Sequence, residues 1–278
     1  MMRAAAVDWR LAAPLGIVYL TLFAAPLLLL LGISLHADQD LQQWGLDNWT
    51  KFWSDAFYRG VVWDTLRLGV AAVLATSLFA WPLAVFFCNA SPRTQKILIF
   101  IILLPLLTSV VIRTFAWIVI LAREGLVNQV VLALGLSATP LRLLQTETGL
   151  ILALMQIEMP LMLLPLISVM RGLDPNLLDA SRALGAGMWR SFFRVILPLS
   201  LPGWIAGATL VFASACTAFI SQSVIGGARL VYLPSLIWQQ AMVVYDWPFA
   251  AVCSVTLLFT VLAGIMMLNW LGRYARTD

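Results

Sequence analysis

Few residues in this 278-residue chain carry side chains that can do chemistry, and their types exclude more than they allow. His36 is the single histidine, so neither a histidine dyad nor a multi-histidine metal site is available. Cys88, Cys216 and Cys253 stand alone in apolar surroundings with no CxxC spacing, a pattern of buried free thiols rather than disulfides or metal ligands. No stretch reads GxxxxGK[ST], so any ATP the chain depends on is bound by another chain. Arg113 and Glu158 are the informative charges, because each interrupts a long apolar run. At the centre of a membrane helix such a residue costs about 2.5 to 3.5 kcal/mol, so both must face a bundle interior or a wet cavity. Counted from the outer ends of their segments they lie at similar depth, about 13 and 15 Å at 1.5 Å per residue, and so can pair. Such a pair either holds two helices together or takes part in gating and solute passage. Gln156, Ser214, Thr217, Ser221 and Gln222 add polar groups nearby, of kinds that in membrane helices usually bond to backbone or to a neighbouring helix. One histidine and a single carboxylate per span are too little for an intramembrane enzyme.

A second constellation is the run Arg171-Gly-Leu-Asp-Pro-Asn-Leu-Leu-Asp-Ala-Ser-Arg-Ala-Leu-Gly-Ala-Gly-Met-Trp-Arg-Ser-Phe-Phe-Arg-Val-Ile-Leu-Pro198, longer than a connector needs to be. Asp174 as N-cap, Pro175 in the first helical position and Gly185 as a left-handed C-terminal residue predict a short helix over about 175–184. After Gly187, Trp189, Phe192, Phe193 and Ile196 fall at i, i+3, i+4 and i+7, with Arg190 and Arg194 off that stripe. That spacing predicts an amphipathic helix lying along the bilayer surface until Pro198 stops it. The pair of helices is either a surface connector or a shape for docking a soluble partner. A third group, Asp64, Tyr232, Tyr245, Asp246 and Trp247, clusters toward one membrane face, where it either receives a cation or anchors the chain at the interface.

What must position these residues is legible from composition. The chain is 62% hydrophobic and 11% charged, against about half and a quarter in soluble domains, and its apolar residues come in blocks of membrane-spanning length. The blocks predict an all-α, polytopic membrane protein with six transmembrane helices, roughly 13–35, 65–88, 97–121, 149–170, 202–222 and 249–271. All six belong to a single domain, 1–278, with a loop over 171–201. The first block is too long for the apolar core of a signal peptide and is expected to be retained as a helix. Pro82, Pro105, Pro160 and Pro165 fall inside blocks and either kink helices for gating or merely shape them.

Ten basic residues (Arg3, Arg10, Arg93, Lys96, Arg171, Arg182, Arg190, Arg194, Arg273 and Arg276) fall on one side of these spans. Five (Lys51, Arg59, Arg123, Arg142 and Arg229) fall on the other, which also holds most of the acids. By the positive-inside rule both termini and the 171–201 loop are cytoplasmic.

Asp179-Ala180-Ser181, then Gly185 after three residues, then Val195-x-Leu197-Pro198 after nine more, resembles the EAA loop of ABC importer permeases. The departures from that pattern are Asp179 for Glu, Ser181 for Ala and Val195 for Ile. Leu104-Pro105 through Trp117, Gly125-Leu-Val-Asn128, Gly226-Gly227 and Asp246-Trp247-Pro248-Phe249 are similar to the polyamine branch of that family, most of all to its first permease subunit. The resemblance implies the type I (MetI-like) permease fold and import of a small solute, spermidine or putrescine before an opine, an aminophosphonate, another amine or ferric iron. It also implies partners: a second homologous permease forming a heterodimer, two ATP-binding subunits that hold ATP and magnesium, and a periplasmic solute-binding protein. The site is then the bacterial inner membrane, and no nucleic acid is involved. Carried over by position, Asp179, Ala180, Ser181, Gly185, Leu197 and Pro198 couple the chain to the ATPase. Independently of the resemblance, the polar and aromatic residues Arg113, Glu158, Gln156, Asp64, Asp246 and Trp247 are candidates for the pathway. An ion-coupled secondary transporter is the rival from another class. It would require inverted repeats or broken helices, which the sequence does not display, and would leave the 171–201 loop unexplained.

Overall fold

The computed structural model describes residues 9–174 and 176–274, without the side chains of residues 9–12, Leu178, Asp179, Arg182, Leu271, Arg273 and Tyr274. The expectations for Arg3, Pro175 and Arg276, and for the side chains of Arg10, Asp179, Arg182 and Arg273, therefore lie outside the described residues.

The apolar blocks form helices because backbone groups in hydrocarbon have no water to bond and must satisfy one another within the segment. In chain order the α-helices are α1 (Trp9–Ile33), α2 (Asp47–Ser54), α3 (Ala56–Asn89), α4 (Pro92–Leu107), α5 (Val110–Leu121), α6 (Leu126–Ala133) and α7 (Glu147–Arg171). They continue with α8 (Asn176–Ala183), α9 (Met188–Ser191), α10 (Leu197–Thr217), α11 (Phe219–Ile225), α12 (Leu233–Gln239) and α13 (Trp247–Tyr274). Local chemistry marks their ends. Ser91 caps α4 by accepting the Thr94 N–H at 3.4 Å, with Pro92 in the first turn. Thr146 caps α7 by accepting the Gly149 N–H at 3.2 Å, and Glu147 and Arg171 sit at the ends of α7 where the helix dipole favours their charges.

Among the described residues five helices are long and apolar enough to cross a membrane, and a bent pair, Pro92–Leu107 with Val110–Ala133, brings the number to six when counted as one span. The third span departs from the straight helix expected over 97–121. It turns through 102° between Leu107 and Val110, where Thr108 and Ser109 are extended. The fifth span is also interrupted, at Ala218 between α10 and α11. Both interruptions contradict the expectation of unbroken helices. At the second, Gln222 stands in for the missing backbone donors: its Nε2 bonds the carbonyls of Ala215 at 2.8 Å and Cys216 at 3.4 Å. A buried break needs such partners, and they come from a residue seven positions along the chain.

Pro198 likewise does not end a helix. One helical stretch runs from Met188 to Thr217, so the segment over 188–198 enters the fifth span instead of lying apart from it. Phe192–Ile196 is a π-helical turn, in which the Leu197 N–H reaches back to the Phe192 carbonyl. A proline ring normally collides with the carbonyl four residues earlier, and the widened turn makes room for it.

The described residues gather into two compact units. One comprises residues up to Arg59 together with Leu236–Thr256. Its core is aromatic: Phe52 and Phe249 are fully buried, Tyr58 meets Phe249 at 4.9 Å between ring centroids, and Lys51 Nζ lies 4.5 Å over the Phe249 ring. The other comprises Gly60–Ser235 and the chain from Leu257. It is built on α7 and α10, and close approach of these two helices depends on Gly203 and Gly207, one turn apart on α10. A Cβ at Gly203 would lie 2.8 Å from the Pro165 carbonyl, and one at Gly207 would lie 2.8 Å from Met162 Sδ and 2.9 Å from the Met162 carbonyl. Gly207→Leu is therefore expected to force α7 and α10 apart, lowering the stability of the detergent-solubilised protein by about 1–3 kcal/mol. Thermal unfolding of wild type and variant side by side checks this; an unchanged midpoint would show that the seam does not need the glycine.

Candidate functional site

At one end of the larger unit lies the hairpin of α8 and α9. The Asp174 carboxylate accepts the Asn176 N–H at 2.9 Å and so caps the start of α8. At the other end of α8, Gly185 has φ +78°, the left-handed conformation expected for it. The Ala186 N–H bonds the Ser181 carbonyl at 3.1 Å, closing the helix with the six-to-one bond of a Schellman cap. Space around Gly185 is open, since a Cβ there would meet nothing within 4 Å. What requires glycine is thus backbone conformation and not packing.

The hairpin presents Ala180 outward, but Ser181 is buried. Its hydroxyl lies 2.7 Å from the buried Ser191 hydroxyl on α9, which fastens the two helices of the hairpin together. Leu197 is half-buried and Pro198 exposed, one helical turn beyond the Phe192–Ile196 segment. The same end is tied to the α3–α4 turn. Arg171 bonds Gln95 Oε1 and lies 4.8 Å over the Phe87 ring, while Gln95 Nε2 bonds the Phe87 and Ala90 carbonyls at 3.1 Å each. Two of the basic segments read from the sequence, around 89–96 and around 171–201, therefore sit at one end of this unit.

Within the spans, Arg113 and Glu158 come close in depth but do not pair. Glu158 is 4% exposed and accepts a hydrogen bond from Ser214 Oγ of α10 at 2.9 Å. Arg113 on α5 instead donates from Nη1 to the Ile157 carbonyl at 3.4 Å, and its buried Nε has no hydrogen-bond partner. Neighbouring positions on a helix differ by about 100°, so the face of α7 that turns Glu158 toward α10 presents α5 with the backbone beside it. Gln156 accepts from Trp117 Nε1 at 3.1 Å, and Thr114 lies 3.3 Å from Ser221, hydroxyl to hydroxyl. The result is a seam of polar groups where α5, α7, α10 and α11 meet, with a carboxylate and a guanidinium held apart. The sequence picked out most of its members but not the contacts, since one residue of rotation separates an ion pair from this arrangement.

Toward the opposite end of the unit, Arg67 and Glu147 form a bidentate ion pair between α3 and α7 that the sequence analysis missed. An arginine in the first turns of one span and a carboxylate opening another were the available signal. Asp64 is half-buried there. Tyr232 is 3% exposed, which contradicts a place at an open mouth or interface. Burial pushes its phenol above the ordinary range, the Glu147 and Asp64 carboxylates push the same way, and Arg67 opposes them. Its loop is held by the Thr65 hydroxyl, which accepts the Leu233 N–H at 3.0 Å. Asp246 and Trp247 belong to the other unit. The Asp246 carboxylate accepts the Phe249 N–H at 3.1 Å as the N-cap of α13, and Trp247 is exposed.

The larger unit is thus helical, with interrupted spans, polar groups along its inner seam and a capped hairpin at one end. The family described as "binding-protein-dependent transport system inner membrane component" matches residues 2–274, and the chain belongs to it. Among similar proteins are the spermidine/putrescine transport system permease proteins PotB of Haemophilus influenzae and Escherichia coli. The first is 34% identical over 222 residues, covering 80% of this chain and 77% of the relative; the second is 35% identical over 223 residues, covering 80% of each. A crystal structure of a bacterial ABC transporter that imports the acidic polysaccharide alginate shares the fold, with a TM-score of 0.77 at 17% identity over 96% of both chains. The MetNI methionine ABC transporter is less close, with a TM-score of 0.56 over 78% of this chain and 94% of its own. The protein is therefore a multi-pass transport subunit of the inner membrane, and the secondary-transporter reading falls despite the broken helices.

The Ser181–Ser191 bond sits where the family pattern carries alanine, so it can be removed without departing from that pattern. Ser181→Ala or Ser191→Ala alone leaves a buried hydroxyl unpaired and is expected to destabilise by about 1–2 kcal/mol, whereas the double variant is expected to lose less than the sum. Thermal unfolding of all four proteins checks the cycle, and strict additivity would mean that the two hydroxyls do not interact.

Proposed function

We propose that this chain is one of two permease subunits of an ATP-driven importer for a small organic cation of the spermidine or putrescine kind. The observation that carries the solute class is the pair of relatives, 34% and 35% identical over 80% of this chain, whose names specify spermidine and putrescine. A carboxylate held in the polar seam by Ser214 gives a cation something to meet on its way through. The partners are a second, homologous permease, two subunits that bind ATP and magnesium, and a periplasmic solute-binding protein. The chain contributes no catalytic residue of its own to ATP hydrolysis.

In this reading the segment from Asp179 on α8 to Gly185 just beyond it docks on an ATP-binding subunit with Ala180 as a small contact, and both termini are cytoplasmic. Ser181 works from inside: bonded to Ser191, it makes a push on α8 a push on α9 and on the continuous helix through Leu197 and Pro198 into the fifth span. ATP-driven closure of the partner subunits is thereby carried to Ala218 and to the seam holding Gln156, Glu158 and Arg113, which opens alternately to either side. Asp64 stands outside that seam, Asp246 serves as the cap of α13, and Trp247 serves as an interfacial anchor.

Reconstitution of the transporter with its binding protein, with ATPase activity measured over polyamines, opines, aminophosphonates and ferric iron, tests the solute class. Polyamines are expected to stimulate, with Glu158→Gln lowering uptake of the cation; stimulation only by anions would overturn the reading. Coupling is tested at Gly185. Because only its backbone conformation is at issue, Gly185→Asn is expected to keep most of the coupled ATPase activity, while Gly185→Val, strained by about 1–2 kcal/mol, should insert normally but lose it. Full transport in Gly185→Val would remove the hairpin from the mechanism.

A further inference from the structure

Behind the hairpin, α3 and the helical stretch from Met188 to Leu197 enclose a groove of about 890 Å³. Its walls are apolar, with Leu74, Leu78 and Phe86 on one side and Trp189, Phe192 and Phe193 on the other. Three polar side chains line it, and each is engaged within the chain. Ser77 donates to the Val73 carbonyl at 2.6 Å and accepts from Trp204 Nε1 at 2.7 Å. Asn89 donates to the Val85 carbonyl at 2.8 Å, and Ser191 is bonded to Ser181. A polar solute would find few groups to replace its water, so the slot suits hydrocarbon.

The groove follows α3 from Leu74 to Asn89, about 22 Å at 1.5 Å per residue, whereas one leaflet of hydrocarbon is about half of 30 Å. An acyl chain fits that length. The two segments that flank the groove at the hairpin end are basic, while the acids of the hairpin, Asp174 and Asp179, belong to the α8 side. Arg190 and Arg194, one turn apart, are exposed, as are Arg93 and Lys96 beyond the end of α3, and neither 89–96 nor 186–197 contains an acidic residue. Packing an apolar protein helix there would leave this charge without counter-charge, whereas a phosphate supplies one.

We propose that the groove binds an acyl chain of an anionic phospholipid, with its phosphate met by Arg190 and Arg194. The lipid then fills the space against the π-helical turn, on the path between the hairpin and the fifth span. The inference rests on the chain's place in the membrane and not on the identity of the solute.

A photoreactive benzoylphenylalanine in place of Leu78, in the assembled transporter in native membranes, tests the occupant. Irradiation followed by mass spectrometry is expected to give a phospholipid adduct in which phosphatidylglycerol exceeds its share of the bulk membrane. Each basic residue near a membrane surface is worth about fivefold in attraction to anionic lipid, so Arg190→Gln with Arg194→Gln should cut the phosphatidylglycerol adduct about tenfold or more and leave the phosphatidylethanolamine adduct in place. A cross-link to a polypeptide would mean that a neighbouring subunit fills the groove. That result, no adduct, or a lipid profile unmoved by the arginine substitutions would each overturn the proposal.

Discussion

Hydrocarbon offers no hydrogen bonds, so every interruption of a membrane helix must find replacement partners inside the protein. That constraint organises this chain. Where the fifth span breaks at Ala218, the Gln222 side chain bonds the freed carbonyls of Ala215 and Cys216. Where the third span turns between Leu107 and Val110, the Thr108 N–H bonds the Pro105 carbonyl and its hydroxyl bonds that of Leu104. Where Pro198 would have ended a helix, the backbone widens into a π turn and continues. The same rule governs the ionisable groups, since Glu158 takes the Ser214 hydroxyl and Arg113 a backbone carbonyl. Irregularity is tolerated in the spans because the freed backbone groups find local partners, although Arg113 Nε and Gln222 Oε1 stay buried without one. The π turn and the break at Ala218 both lie on the helical path that leads from the hairpin.

That path gives the larger unit a mechanical character. A hydroxyl pair locks α8 to α9, α9 runs without a stop into α10, and α10 packs on α7 through glycines that admit no side chain. Bistable movement requires stiff levers joined at a few yielding points. The levers here are continuous helices and the yielding points are the turns whose hydrogen bonds come from side chains. The opposite end is held by the Arg67–Glu147 pair and the buried Tyr232 loop, so the two ends of the seam are braced by different chemistry.

Much of this was legible in the sequence, for reasons that differ by residue. The spans were legible because their blocks meet the length rule for hydrocarbon, and Gly185 because few residues other than glycine occupy a left-handed helix terminus without strain. Asp174 was legible as a cap from the proline that follows it, whereas Asp246, a pathway candidate in the sequence, is the cap of α13. Pro198 was misread because a proline in isolation stops a helix, and nothing local in the sequence announces a compensating π turn. Ser181 was read as a partner-facing small residue; its partner, Ser191, is ten positions along the chain on a different helix.

By itself the sequence determined that the chain lives in a bilayer, roughly where it crosses and which loop carries a capped helix, because those properties follow from composition and from periodicities of a few residues. Only the tertiary structure decided that Arg113 and Glu158 do not pair, that Ser181 faces inward, that two spans are broken and that Tyr232 is buried. These depend on the rotation of one helix against another, and a difference of about 100° per residue is invisible until the helices are packed.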